Sequence, residues 1–120
     1  MSAALIFVVE DDTWYADLLE YNLKLNPDYE VEKFSTAEDC FKNLYKMPMA
    51  ITLDFSLPGC TGGEALAKIK KKNPSIPVIM ISGQEDITTA IDLLKEGAYD
   101  YIVKNDDAPK IQTYIPVRTG

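Results

Sequence analysis

Five polar side chains close the apolar runs of this chain, and together their types suggest one chemistry. Leu5–Val9 stops at Glu10 and Asp11, the β-branched run over 50–53 stops at Asp54, Val78–Ile81 stops at Ser82, and Tyr101–Val103 stops at Lys104. Ligands of an open parallel sheet bind beyond the carboxyl ends of its strands, so these groups are expected along one edge. Hard divalent ions such as Mg²⁺ prefer carboxylate and carbonyl oxygens with water. A lysine beside them can neutralise transferred phosphoryl oxygens, and a hydroxyl adds a donor. The set suits placing a phosphoryl group on a carboxylate, with Asp54 as the nucleophile in line with the donor.

Taken singly, each residue has a plainer use. Asp11 and Asp12 could cap a helix, Asp54 could initiate a loop, Ser82 could be a turn hydroxyl, Lys104 could face solvent, and Tyr101 could be core. Neither Gly-x-x-x-x-Gly-Lys-Ser/Thr nor Gly-x-Gly-x-x-Gly occurs, which removes the common nucleotide-binding readings. Gly59, Gly62 and Gly63 read instead as loop and helix-entry glycines.

The elements that must position these groups follow in order. The first strand is a continuous apolar run of the central parallel kind. Asp12 or Thr13 then starts a helix running to about Asn26 before Pro27, with Tyr15, Leu18, Leu19 and Leu23 inward and Trp14 off that stripe. Tyr29–Phe34 alternates in part and reads as an outer strand with one wetter face. A helix from Ser35 or Thr36 to about Tyr45 turns Ala37, Cys40, Phe41 and Leu44 inward; Thr36 and Asp39 match the Ser/Thr-x-x-acid start loosely. After the strand that ends at Asp54 comes a Pro- and Gly-rich loop, then a helix over Gly63–Asn73 with Leu66 and Ile69 inward, ended by Pro74. The strand Val78–Ile81 is followed by a helix over Ile87–Glu96, stopped by Gly97, whose Ile87, Ala90, Ile91 and Leu94 face the sheet. Five strands alternating with helices over short connections make a single doubly wound α/β fold. The tail offers only a short helix around Lys110–Ile115, closed by Pro116, which tertiary contacts would have to hold.

The bulk numbers bound the function. A chain of 120 residues fits one domain with a proper core, and 47% hydrophobic residues argue against disorder. A formal charge of −7 argues against direct nucleic-acid binding, because phosphate backbones demand a basic footprint. The best basic run, Lys68 with Lys70–Lys72, reads as the wet face and end of a helix. Cys40 and Cys60 lack metal or redox spacing, which suggests a reducing, cytoplasmic setting. No histidine is present, which excludes a Ser/His/Asp triad and histidine metal sites. The apolar start is too short for a membrane span and lacks the basic region of a signal peptide.

Four motifs occur in order: Val8-Val9-Glu10-Asp11-Asp12, Leu53-Asp54-Phe55-Ser56-Leu57-Pro58-Gly59, Ile81-Ser82-Gly83, and Gly97-Ala98-Tyr99-Asp100-Tyr101-Ile102-Val103-Lys104. Over Leu5–Lys104 the chain closely resembles the receiver domain of bacterial two-component response regulators, including the chemotaxis regulator. The resemblance implies one receiver domain over 1–120, with 105–120 atypical or truncated, and a flavodoxin-like sheet of strand order 2-1-3-4-5. It implies that Asp54 accepts a phosphoryl group from a sensor histidine kinase or phosphotransfer protein. Mg²⁺ would be held by Glu10, Asp11, Asp54 and the Ser56 carbonyl. Lys104 would bind the phosphoryl group, Ser82 and Tyr101 would be switch residues, and Ser56 and Gln84 would tune dephosphorylation.

Three departures stand out: Asn105 where a proline is usual, Thr61 where an Asp is common, and the poorly matched last helix. Thr61 is expected to be a surface change with little effect on the chemistry. The segments after Ser82 and Gly97 look most like receivers of transcriptional regulators, which implies an output domain missing from this chain and possible phosphorylation-dependent homodimers. Such a domain is a switch rather than a turnover enzyme. Two alternatives stay open: a pseudo-receiver acting as an interaction module without phosphorylation, and a Mg²⁺-dependent small-molecule phosphatase. Ser56, two residues after Asp54 where such a phosphatase needs a second acid, counts against the latter.

Overall fold

The computed structural model describes residues 3–83, 87–104 and 110–116. Its elements are β1 (Ala4–Val9), α1 (Thr13–Leu23), β2 (Tyr29–Phe34), α2 (Ala37–Lys42), a 3₁₀ turn (Leu44–Lys46), β3 (Ala50–Asp54), β4 (Ser56–Leu57), β5 (Cys60–Thr61), α3 (Gly62–Lys72), β6 (Val78–Ser82), α4 (Ile87–Lys95), β7 (Asp100–Val103) and α5 (Ile111–Tyr114). The five long strands form one parallel sheet in the order β2-β1-β3-β6-β7. With the two short strands β4 and β5 set aside, this is the expected order 2-1-3-4-5.

Successive strand residues point to opposite faces, and the core divides accordingly. Ile6, Val8, Ala50, Ile79, Ile81 and Ile102 face α1 and α5, where they meet Tyr15, Leu19, Leu23, Ile111 and Ile115. Phe7, Val9, Ile51, Leu53, Val78 and Met80 face the other layer, where Cys40, Leu44, Leu66, Ile69 and Leu93 cover them. The short tail helix is therefore held as expected, by tertiary contact. Ile111 and Ile115 are buried, and Gln112 Nε2 donates to the Asn22 carbonyl at 2.6 Å.

The local departures from the sequence reading have physical causes. The second helix stops at Lys42 instead of reaching Tyr45: Asn43 turns its amide back on the Asp39 carbonyl at 2.8 Å, and the chain leaves through a 3₁₀ turn to Met47 in the left-handed region at φ 54°. The first helix ends at Leu23, three residues early, because Asn26 closes a turn onto the Leu23 carbonyl. The inward face expected for the fourth helix is wrong. Its buried anchor is Leu93, whereas Ile87, Ile91 and Leu94 are 73%, 46% and 43% exposed. Helical spacing reveals an apolar stripe but not what covers it, and near the sheet edge only one turn of α4 reaches the core. Trp14 is exposed, as its place off the α1 stripe suggests.

The loop after Asp54 holds a small antiparallel hairpin, β4 with β5, that sequence reading did not resolve. Pro58 and Gly59 turn it, with Gly59 at φ +77°. Thr61 is at the surface, as expected, and it also caps the next helix. Its hydroxyl accepts the Glu64 N–H at 3.1 Å and Glu64 Oε1 accepts the Thr61 N–H at 3.2 Å, a capping box that starts α3. Inside that start, a Cβ on Gly62 would lie 2.6 Å from Phe55 Cδ1 and 2.9 Å from the Phe55 backbone.

Two predictions follow from this packing. Gly62→Ala should lower unfolding stability by about 1–3 kcal/mol through overpacking against Phe55. Gly63→Ala, with nothing closer than 3.7 Å, should be neutral or raise stability by about 0.5–1 kcal/mol. Urea unfolding of the pair checks the contrast, and equal effects would contradict it. Burial pushes the Cys40 thiol up to about 12, while Cys60 is partly exposed. A chromogenic thiol reagent at mildly alkaline pH should react with Cys60 in the native protein and with Cys40 only after denaturation.

Candidate functional site

The parallel ladder brings four strand ends to one edge. The Glu10 N–H donates to the Phe34 carbonyl at 2.9 Å, the Phe55 N–H to the Ile81 carbonyl at 2.8 Å, and the Lys104 N–H to the Ser82 carbonyl at 2.7 Å. Each bond continues the sheet by one residue past a strand end, so the polar residues are positioned by backbone rather than by loop chance. Glu10, Asp54 and Ser82 are each only 3% exposed, while Asp11 is exposed.

Lys104 is the centre of the charge arrangement. Its Nζ lies 2.7 Å from Glu10 Oε1 and 3.5 Å from Asp54 Oδ2. Glu10 Oε2 accepts the Asp12 N–H at 3.1 Å, and Asp54 Oδ1 accepts the Ser56 N–H at 3.2 Å. Burial pushes the Glu10 carboxyl up to about 7, against the lowering pull of Lys104 and with a further rise from Asp54. Burial alone would lower Lys104, but its two carboxylate neighbours outweigh it and hold the ammonium above the usual lysine value. The edge therefore carries more negative charge than one lysine balances.

A metal ion would answer that excess. Carboxylate oxygens of Glu10, Asp11 and Asp54 lie within 4.8 Å of one another, close to the roughly 4 Å that separates opposite ligands of an octahedral Mg²⁺. Glu10 Oε1 is buried, and beyond the Lys104 ammonium it has no hydrogen-bond partner among the described residues. An oxygen-only donor set of this kind fits a hard divalent cation.

The other expected residues sort as follows. Asp12 is the cap of α1, accepting the N–H groups of Trp14 and Tyr15 at 3.1 and 3.3 Å, and stands aside from the acid cluster. Ser82 ends β6 beside the register pair Asp54–Ile81. Ser56 is exposed at the start of β4 and reaches Asp54 through its amide. Tyr101 is not among the acids; it is half-buried against the core on the α2–α3–α4 side. Gln84 and Asn105 lie outside the described residues.

Two features escaped the sequence. The Lys104 ammonium sits 4.8 Å from the centre of the Tyr15 ring, a contact that no spacing rule joins across 89 positions of chain. Thr52, two residues before Asp54, has a buried hydroxyl with no hydrogen-bond partner among the described residues. A groove of about 810 Å³ lined by Thr36, Phe41, Pro58, Cys60, Lys68 and Lys72 holds none of the strand-end residues. The strand-end residues therefore lie outside that groove.

Comparison with known proteins agrees with this geometry. The family model described as response regulator receiver domain matches residues 6–116. The chain is similar to the regulatory protein LuxO of Vibrio cholerae, 29% identical over 110 residues that cover 90% of this chain and 24% of that protein. It is 33% identical over 108 residues to the chemotaxis protein CheY of Listeria monocytogenes, covering 87% of this chain and 89% of that one. The crystal structure of a CheY-like response regulator receiver domain protein from Methanospirillum hungatei matches with a TM-score of 0.85 at 29% identity, covering 95% and 91% of the two chains. The chain thus spans about a quarter of LuxO and most of CheY.

The unpartnered Thr52 hydroxyl gives a direct test of how tightly the edge is packed. Thr52→Val should raise unfolding stability by about 1–2 kcal/mol by removing a buried oxygen that gains nothing in return. Calorimetry or urea unfolding measures it, and a loss of stability would show that the hydroxyl is bonded in solution.

Proposed function

The chain belongs to the response regulator receiver domain family, and we propose that within phosphorelay signalling Asp54 is its phosphoryl acceptor. The observation that carries this reading is the approach of Lys104 to both Glu10 and Asp54, at 2.7 and 3.5 Å, on an edge with three acids. An Asp54 oxygen attacks the phosphorus of a phosphohistidine on a sensor kinase or phosphotransfer protein. The new O–P bond forms as the N–P bond breaks, and the imidazole leaves with the electron pair.

Lys104 stands where it can leave Glu10 in part and pair with the incoming phosphoryl oxygens, supplying fixed positive charge as negative charge gathers. The Ser56 amide orients the Asp54 carboxylate through its bond to Oδ1. Glu10, Asp11 and Asp54, with the Ser56 carbonyl, are the residues to hold Mg²⁺, which when bound would neutralise phosphoryl charge. Ser82, at the same edge, is the hydroxyl to meet the acyl phosphate. Tyr101 would carry the change toward α4 from the other side of the sheet. Ser56 and Gln84 are assigned to tuning hydrolysis.

In this reading the domain is a switch, phosphorylated and dephosphorylated slowly, rather than a turnover enzyme. It controls an output domain or partner, or a phosphorylation-dependent homodimer, in the cytoplasm. Two unpaired thiols fit that setting, and among the described residues no helix is long and apolar enough to cross a membrane.

Incubation with Mg²⁺ and a small acyl phosphate donor, followed by intact mass, tests the proposal. The wild type should gain one phosphoryl group, Asp54→Asn none, and Lys104→Met should gain it about 100-fold more slowly. Chelation of the metal should abolish the gain. An undiminished gain in the Asp54 variant would sink the assignment.

A further inference from the structure

Lys104 meets a third group besides its two acids. Its Nζ lies 4.8 Å from the centroid of the Tyr15 ring, within the distance at which a ring face attracts a cation. Tyr15 is only 6% exposed and stands in the first turn of α1. Its own N–H donates to the capping Asp12 carboxylate at 3.3 Å, so the cap that starts the helix also sets the backbone carrying the ring. Asp12 in turn donates its N–H to Glu10, which ties ring, cap and acid into one short segment.

The ring answers a specific difficulty. Lysine is a point charge on a flexible four-carbon stem, and its direction must be imposed from outside. Its two carboxylate partners here are unequal, with Glu10 nearer than Asp54. To act on a phosphoryl group carried by Asp54, the ammonium has to yield part of its hold on Glu10. An uncharged ring attracts it equally whatever Asp54 carries. Asn105 follows Lys104 in the sequence, so no proline ring presets the backbone there.

We propose that Tyr15 is a positioning residue for phosphoryl acceptance, its ring face holding the Lys104 ammonium at the Asp54 edge as the phosphoryl group arrives. The role rests on the phosphoacceptor reading given above. It predicts a dependence on the aromatic face rather than on side-chain volume or on the phenolic hydroxyl.

Two measurements test it on the same chain. In NMR spectra of protein with ¹³C-labelled lysine, the Lys104 ε-methylene protons should be shifted upfield by the ring in the wild type and in Tyr15→Phe, and released toward ordinary values in Tyr15→Leu. With an acyl phosphate donor and saturating Mg²⁺, Tyr15→Leu should be phosphorylated about three- to tenfold more slowly, while Tyr15→Phe stays within about twofold of wild type. The loss should fall on the maximal rate and leave the donor KM unchanged. If the leucine variant fails to fold, Tyr15→Met replaces it, and the wild-type spectrum decides the contact without any variant. A leucine variant as fast as wild type, a phenylalanine variant as slow as leucine, or unshifted wild-type Lys104 protons would each overturn the role. An unphosphorylated wild type would overturn the phosphoacceptor reading itself, and the wild-type rate tells that outcome from failure of the ring alone.

Discussion

Two carboxylates that share one ammonium hold the functional edge together. Glu10 and Asp54 are both almost fully buried, and neither would be tolerated as a lone charge in that position. Lys104 makes the pair possible, and the cost that remains is visible in the Glu10 carboxyl, raised to about 7 despite its lysine partner. An edge with such a residual imbalance is poised to accept positive charge. It is also arranged so that charge delivered to Asp54 alters what Lys104 contacts. The interaction that keeps the edge folded is therefore the one that a change at Asp54 would redistribute.

The rest of the fold serves to bring that trio together. The ends of β1, β3 and β7, joined into one sheet with β6 between the last two, carry Glu10, Asp54 and Lys104, which are far apart in sequence. Two helix starts, each capped by its own side chain, set the flanks. Asp12 opens α1 beside Glu10, and the Thr61–Glu64 box opens α3 just past the hairpin that follows Asp54. Gly62 lets that second helix approach the Phe55 backbone closely, immediately after Asp54. Stability and chemistry thus use the same short segments.

Much of this is legible in the sequence because parallel strands buried on both faces are unbroken apolar runs, and a charged residue ending such a run marks the sheet edge. The five strands, their order and the residues of the acid cluster follow from that pattern and the family resemblance. The outward face of α4 does not follow. Ile87, Ile91 and Leu94 repeat at helical spacing as a core stripe would, and only the sheet's limited reach leaves them exposed while Leu93 anchors the helix. The Thr61–Glu64 box is legible as a helix-start signature, a Thr three residues before an acid, although the neighbouring Pro58, Gly59, Gly62 and Gly63 fit a loop equally well. The Tyr15 contact was not legible: a tyrosine on the inward stripe of α1 looks like core until the topology sets Lys104 over its ring.

Under the proposed function, all of these features converge on one covalent bond between an Asp54 oxygen and phosphorus. Borohydride reduction of the phosphorylated protein, followed by peptide sequencing by mass spectrometry, locates that bond, because an acyl phosphate is reduced to the corresponding alcohol at the carboxylate that carries it. The account predicts conversion at Asp54 and at no other acid. Conversion at Glu10 or Asp11, or at no acid in a protein that has gained phosphoryl mass, would contradict it.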